Sequence, residues 1–184
     1  RIFMTGHVLR FHPAFEKLED LIDAGELGEV KYIHSHRLGL GKFHTENDAL
    51  WDLAPHDLSI MDYLLGVNPE AVVATGANHL NGFADMAFIT VYFPGNVIAH
   101  VNVNWLSPVK VRTTLIGGRD KMLVWNDLEP DEKIKVYDKG VEITSAQGVH
   151  ELLVSYRSGD VWAPKVDGTE ALKAELTAIN QYWL

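Results

Sequence analysis

Two stretches in the first third of the chain place apolar residues three and four apart: Phe11, Phe15, Leu18 and Ile22, then Leu58, Met61 and Leu65. That period is the mark of a helix that buries one face. The first helix starts at His12-Pro13, since proline is tolerated in an opening turn, and ends at Gly25 and Gly28. The second starts near Pro55 and stops at Gly66. Between them, Val30, Tyr32, His34, His36 and Leu38 share one face of a strand over 28–40. Residues 1–11 read as another strand. From Pro69 onward the period changes to two, predicting strands over 70–79, 85–93, 96–106, 109–117, 121–127, 133–138 and 151–157. Pro94-Gly95-Asn96 and Gly117-Gly118-Arg119-Asp120 are hairpin-type connections. A last helix, after Asp167-Gly168-Thr169, carries the stripe Leu172, Leu176, Ile179 and Trp183. Helices followed by a run of hairpins give an α+β fold, a predominantly antiparallel open-faced sheet with helices on one face.

Along 97–105, Val97, Ala99, Val101, Val103 and Trp105 take one face and Ile98, His100, Asn102 and Asn104 the other. The neighbouring strand is apolar on both faces: Met86, Phe88 and Tyr92 against Ala87, Ile89, Val91 and Phe93. Few helices remain to cover a second face, so the pattern predicts a homo-oligomer formed across the open sheet. Alternation alone does not say which face is which.

The 16 Lys and Arg against 25 Asp and Glu give a net charge of −9, which argues against a nucleic-acid surface. With no cysteine, disulfides, thiolate metal sites and cysteine nucleophiles are excluded. No apolar run approaches the ~20 residues of a membrane span, so the expectation is a soluble, cytoplasmic domain. The chain opens on Arg1 inside an apolar run and closes on Tyr182-Trp183-Leu184 in mid-pattern. Both ends read as cuts in a longer protein.

The densest polar constellation is Asn47-Asp48-Ala49-Leu50-Trp51-Asp52-Leu53-Ala54-Pro55-His56-Asp57. A carboxylate four residues before an imidazole shares its side of a helix and can orient it as a general base. In a first turn, the helix dipole would also keep His56 neutral. The plainer reading has Asp52 as a cap, Asp57 complementing the dipole and His56 as a packed surface residue. A second chemistry is metal binding by His34, His36, His44 and His56, although no acidic ligand follows at short spacing. The sequence has no glycine turn for a dinucleotide pyrophosphate and no Gly-x-Ser-x-Gly elbow.

Gly6-His7-Val8-Leu9-Arg10-Phe11-His12-Pro13-Ala14-Phe15, with Leu21 to Gly28, resembles the glucose–fructose oxidoreductase / inositol dehydrogenase family. Asn47 to Leu65 is similar to its catalytic helix, and Trp105-Leu106-Ser107-Pro108 with Lys110-Val111-Arg112 to the strand and hairpin that follow. The resemblance implies that residues 1–11 are the last strand of a truncated Rossmann domain and 12–184 a substrate, catalytic and oligomerisation domain. It implies NAD or NADP, bound mainly by the preceding domain that also supplies a lysine, and hydride transfer from a secondary alcohol of a sugar. His56 would exchange the hydroxyl proton and Asp52 orient it or bind a hydroxyl, with Asn47, Arg10 and Trp51 as further contacts. The Trp51–Asp57 wording resembles members acting on nucleotide-linked amino sugars. Ala171 stands where many members have proline. The isolated chain is then expected to be inactive. A metal-dependent enzyme and a non-catalytic sugar-binding or assembly domain are the alternatives from other classes.

Overall fold

A computed structural model of the chain describes residues 6–40, 46–143 and 154–183. His44 of the metal reading, residues 1–5 of the first strand and 151–153 of the last lie outside these. Helix α1 (Pro13–Asp23) starts as expected: His12 caps it, its Nδ1 accepting from the Ala14 amide at 3.0 Å, with proline next. Strand β1 (Val30–Leu38) leads to helix α2 (Ala49–Leu65), which ends on Gly66 at φ 61°, the left-handed conformation that glycine adopts freely. Six strands follow: β2 (Ala71–Ala77), β3 (Met86–Phe93), β4 (Val97–Asn104), β5 (Val111–Gly118), β6 (Met122–Asn126) and β7 (Ile134–Ile143). Strand β8 (Val154–Trp162) and helix α3 (Ala171–Trp183) complete the described chain.

The eight strands form one sheet in the order β2-β3-β4-β1-β5-β6-β7-β8. Every neighbouring pair is antiparallel except β1 and β4, which run parallel. The expected fold class is therefore the one observed. Its core lies between one sheet face and the helices. Ile33, Ala87, Ile89, Val91, Ala99, Val101, Val103, Ile116 and Leu123 meet Phe15, Leu18 and Leu21 of α1 and Ala54, Ile60 and Met61 of α2. This decides the two faces of β3: Ile89 and Val91 point inward, while Phe88 and Tyr92 are exposed. The open face also carries Tyr32 and Ile98. There His34 and His100 rings meet edge to face, and Phe88 stacks on His100.

Three expectations change. Residues 8–11 form a 3-10 turn, not a strand, closed by Arg10 N to His7 O at 2.9 Å and His12 N to Leu9 O at 3.1 Å. Helix α2 starts at Ala49, well before Pro55, because Asp48 caps it by accepting from the Trp51 amide at 2.8 Å. Pro55 is thus inside the helix and removes one rung of its ladder. On α3 the deepest positions are Ala171 and Glu175, whereas Leu172 and Leu176 of the expected stripe are exposed. A period of four fits both stripes, and the small Ala171 side permits a closer approach to the 8–11 turn.

Candidate active site

The parallel pairing of β1 and β4 brings their C-terminal ends to the same edge of the sheet. There a cleft of about 370 Å³ opens, in the size range of small-molecule sites. Its walls are Arg37 to Leu40 at the end of β1, Trp105 after β4, Pro108 and Lys110 before β5, Arg112 at its start, and Asp52 and Leu53 from the start of α2. Sequence reading singled out Asp52 here but gave Arg37 and Trp105 no role in a site.

Asp52 lies in the first turn of α2, where its carboxylate Oδ2 accepts the Trp105 indole N–H at 3.1 Å. It is neither the helix cap, which is Asp48, nor the fixed partner of His56. His56 follows about two turns into the helix, beyond reach of the strong end of the dipole. Its Nδ1 is buried with no hydrogen-bond partner among the described residues. The imidazole pKa is nevertheless pushed below its ordinary value, first by burial and then by Arg37, with a smaller contribution from Arg112. Asp57 and Asp52 oppose that shift without reversing it. The shift favours the neutral imidazole, and its causes are burial and two guanidiniums rather than the helix dipole.

Asp57 is not a dipole-complementing surface residue. It is fully enclosed and accepts from Arg37 Nε at 2.8 Å, Arg37 Nη2 at 2.9 Å and Ser35 Oγ at 2.7 Å. Burial works against the Arg37 charge, but the bonded carboxylate outweighs it and raises the guanidinium pKa. This pair ties α2 to the middle of the sheet. The alternation of β1 could have pointed to Arg37, which lies on the inward face between two residues assigned outward.

The start of α2 has a second anchor. The Ala84 carbonyl accepts the Ala49 amide at 2.8 Å, and the Asp85 carbonyl accepts the Trp105 amide at 2.9 Å. Asp85 is itself buried and accepts the His79 amide at 2.6 Å and meets its Nδ1 at 2.8 Å.

The other sequence candidates are dispersed. Asn47 precedes the cap, its Oδ1 accepting the Asp48 amide at 3.0 Å. Trp51 is in the Asp52 turn, but its ring is 71% exposed and does not line the cleft. Arg10 lies over the Tyr63 ring, 4.1 Å from its centre. Tyr63 is about 16 Å along the helix from Asp52, at ~1.5 Å per residue. The histidine cluster is split by the sheet. His34 and His36 alternate with the inward Ser35 and Arg37 and so face away from α2 and His56. Among the described residues no group of three metal-ligand side chains comes together.

The GFO/IDH/MocA C-terminal domain matches residues 15–123, which take in α1, α2, strands β1 to β5 and every residue of the cleft wall. The chain belongs to the GFO/IDH/MocA family. A relative from Mediterraneibacter gnavus, a 2,7-anhydro-N-acetylneuraminate hydratase, is 32% identical over 110 residues, 52% of this chain and 29% of the relative. Among solved structures, UDP-N-acetylglucosamine 3-dehydrogenase from Acidithiobacillus ferrooxidans superposes with a TM-score of 0.73 at 24% identity, over 96% of this chain and 52% of that one. Levoglucosan dehydrogenase, in complex with NADH and levoglucosan, superposes with a TM-score of 0.72 at 15% identity, over 99% and 56%. At these identities the superpositions show a shared fold. The chain spans about half the length of those two structures. No helix among the described residues is long and apolar enough to cross a membrane.

Proposed function

We propose that this GFO/IDH/MocA domain is the substrate-binding and catalytic half of a cytoplasmic NAD(P)-dependent oxidoreductase acting on a secondary alcohol of a sugar. The observation that carries it is His56: a half-buried imidazole one turn beyond Asp52, its pKa lowered by burial and by Arg37 and Arg112 of the cleft wall. Oxidising an alcohol needs a base that is already unprotonated, and the lowered pKa of His56 favours that form. Its unpartnered buried Nδ1 also fits a site completed by something outside the described residues. A bound nicotinamide would supply the hydride acceptor for the alcohol carbon. The chain's own residues do the rest. His56 takes the hydroxyl proton, Asp52 held by Trp105 accepts a neighbouring hydroxyl, and the cleft walls orient the ring.

Cofactor binding belongs on this reading to a preceding domain, because the sequence has no pyrophosphate-binding glycine turn. Residues 1–11 then form the junction with that domain and 12–184 the substrate domain. The test is direct. The full-length protein, given NAD or NADP and a panel of sugars including nucleotide-linked amino sugars, is expected to reduce the cofactor. Absence of reduction with every sugar, together with no reverse reaction on keto-sugars, overturns the reading.

Assembly is the other half of the proposal. Tyr32, Phe88, Tyr92 and Ile98 form an exposed aromatic and aliphatic band on the open sheet face, the kind of surface that a second copy covers. Wild type is expected to be dimeric or larger by light scattering, and Phe88→Lys with Ile98→Lys to shift it toward monomer. A wild-type monomer at high concentration removes the assembly claim.

A further inference from the structure

We propose that the cleft takes a sugar bearing an anionic group, a carboxylate or a phosphate, and that Arg112, with Lys110 beside it, is the residue that recognises it. The sugar part rests on the oxidoreductase reading above; the anionic part rests on charge placement in the cleft. Arg37 and Arg112 are direct partners across the β1–β5 ladder. Two guanidiniums in such register repel unless each has an anion. Arg37 has one, since Asp57 gives it both carboxylate oxygens, and Ser35 takes up part of what remains. Arg112 has none. Its side chain makes no hydrogen bond or ion pair among the described residues, and neither does that of Lys110.

The carboxylates nearby are committed elsewhere. Asp52 accepts the Trp105 indole on the α2 wall. Asp127, whose amide bonds the Arg112 carbonyl, has His12 at 3.4 Å and Lys133 at 3.9 Å. Burial and the neighbouring Arg37 work against the Arg112 charge more strongly than Asp127, Asp57 and Asp52 support it, so an anion entering the cleft relieves a cost already present. The cleft is therefore polarised, with a carboxylate on the α2 wall and free cations on the β5 wall. A substrate with hydroxyls at one end and an anion at the other enters in one orientation, its hydroxyl end toward Asp52. A planar guanidinium binds either a carboxylate or a phosphate in two-point fashion, so the shared anion is the claim.

The experiment compares glucose, glucuronate and glucose 6-phosphate with the full-length protein, by calorimetry and by turnover with NAD and NADP. It is run at pH 8, where His56 is neutral in every variant. Glucuronate or glucose 6-phosphate is expected to bind more tightly than glucose, and which of the two binds better identifies the anion source. Arg112→Gln is expected to cut the charged-to-neutral affinity ratio by roughly 10- to 100-fold, the range for a charge-assisted hydrogen bond. Lys110→Gln, at an exposed position, gives a smaller cut and remains informative if Arg112→Gln fails to fold. Equal binding of glucose and the charged sugars, or a ratio unmoved in both variants, overturns the inference while leaving the oxidoreductase reading intact. Arg112-dependent binding of a charged sugar without any turnover upholds the inference and counts against the oxidoreductase reading alone.

Discussion

In the full-length protein, His56→Ala is expected to lower turnover by roughly 10²–10⁴, the span for removing a general base, which is the role proposed for it. The acid limb of the wild-type rate profile lies below ~6.5, the ordinary histidine value, because burial and Arg37 depress the imidazole pKa. Asp52→Asn moves that limb further down, since the Asp52 charge raises the His56 pKa. Arg112→Gln moves it up, since that cation lowers it. Stability follows the same sign. A histidine with a depressed folded pKa takes up more protons when unfolded, so stability is lost as pH falls through the unfolded value and on toward the folded one. His56→Ala removes this slope. Steady-state rates and melting temperatures across pH on these variants check all of it, and an active His56→Ala protein ends the assignment of His56 as base.

The largest effect on stability belongs to Asp57. Asp57→Ala leaves Arg37 charged and enclosed with no carboxylate, and breaking a buried pair from one side costs about 3–5 kcal/mol. For a chain of this size that is a fall of roughly 6–20 °C in Tm, at ~2–4 °C per kcal/mol. Replacing both partners, Arg37→Met with Asp57→Leu, recovers most of the loss, because an apolar pair needs no counter-charge. Thermal and urea melts decide it. A single variant that costs under ~1 kcal/mol would mean water reaches Arg37 and the pair is not what ties α2 to the sheet.

Sequence reading reached the architecture because period-two alternation in β3 and β4 and the apolar spacing of α1 are local properties, written by the residues that form each element. It placed Asp52 and His56 on one helix for the same reason. It missed the helix start because Asp48, Asp52 and Asp57 all qualify as caps, and only the Trp51 amide on Asp48 selects one. The metal reading failed on a global property: His34 and His36 share a face, but the sheet stands between that face and His56. Arg37 and Asp57 went unnoticed as a pair because 20 residues separate them and neither stands in a recognisable motif. The α3 stripe reads as an apolar face in need of a partner, and Leu172 and Leu176 are exposed, while Ala171, one residue away on the same period, is buried here.

The exposed connection between β2 and β3 never enters the cleft, yet it carries the two carbonyls that hold Ala49 and Trp105, and Trp105 in turn holds Asp52. Drift at residues 78–84 is therefore not neutral. A homologue that inserts or deletes a residue there displaces the Asp52 carboxylate with every cleft-lining side chain unchanged. Two proteins with identical cleft residues can then differ in how they seat a ligand, and such divergence is to be sought in that loop.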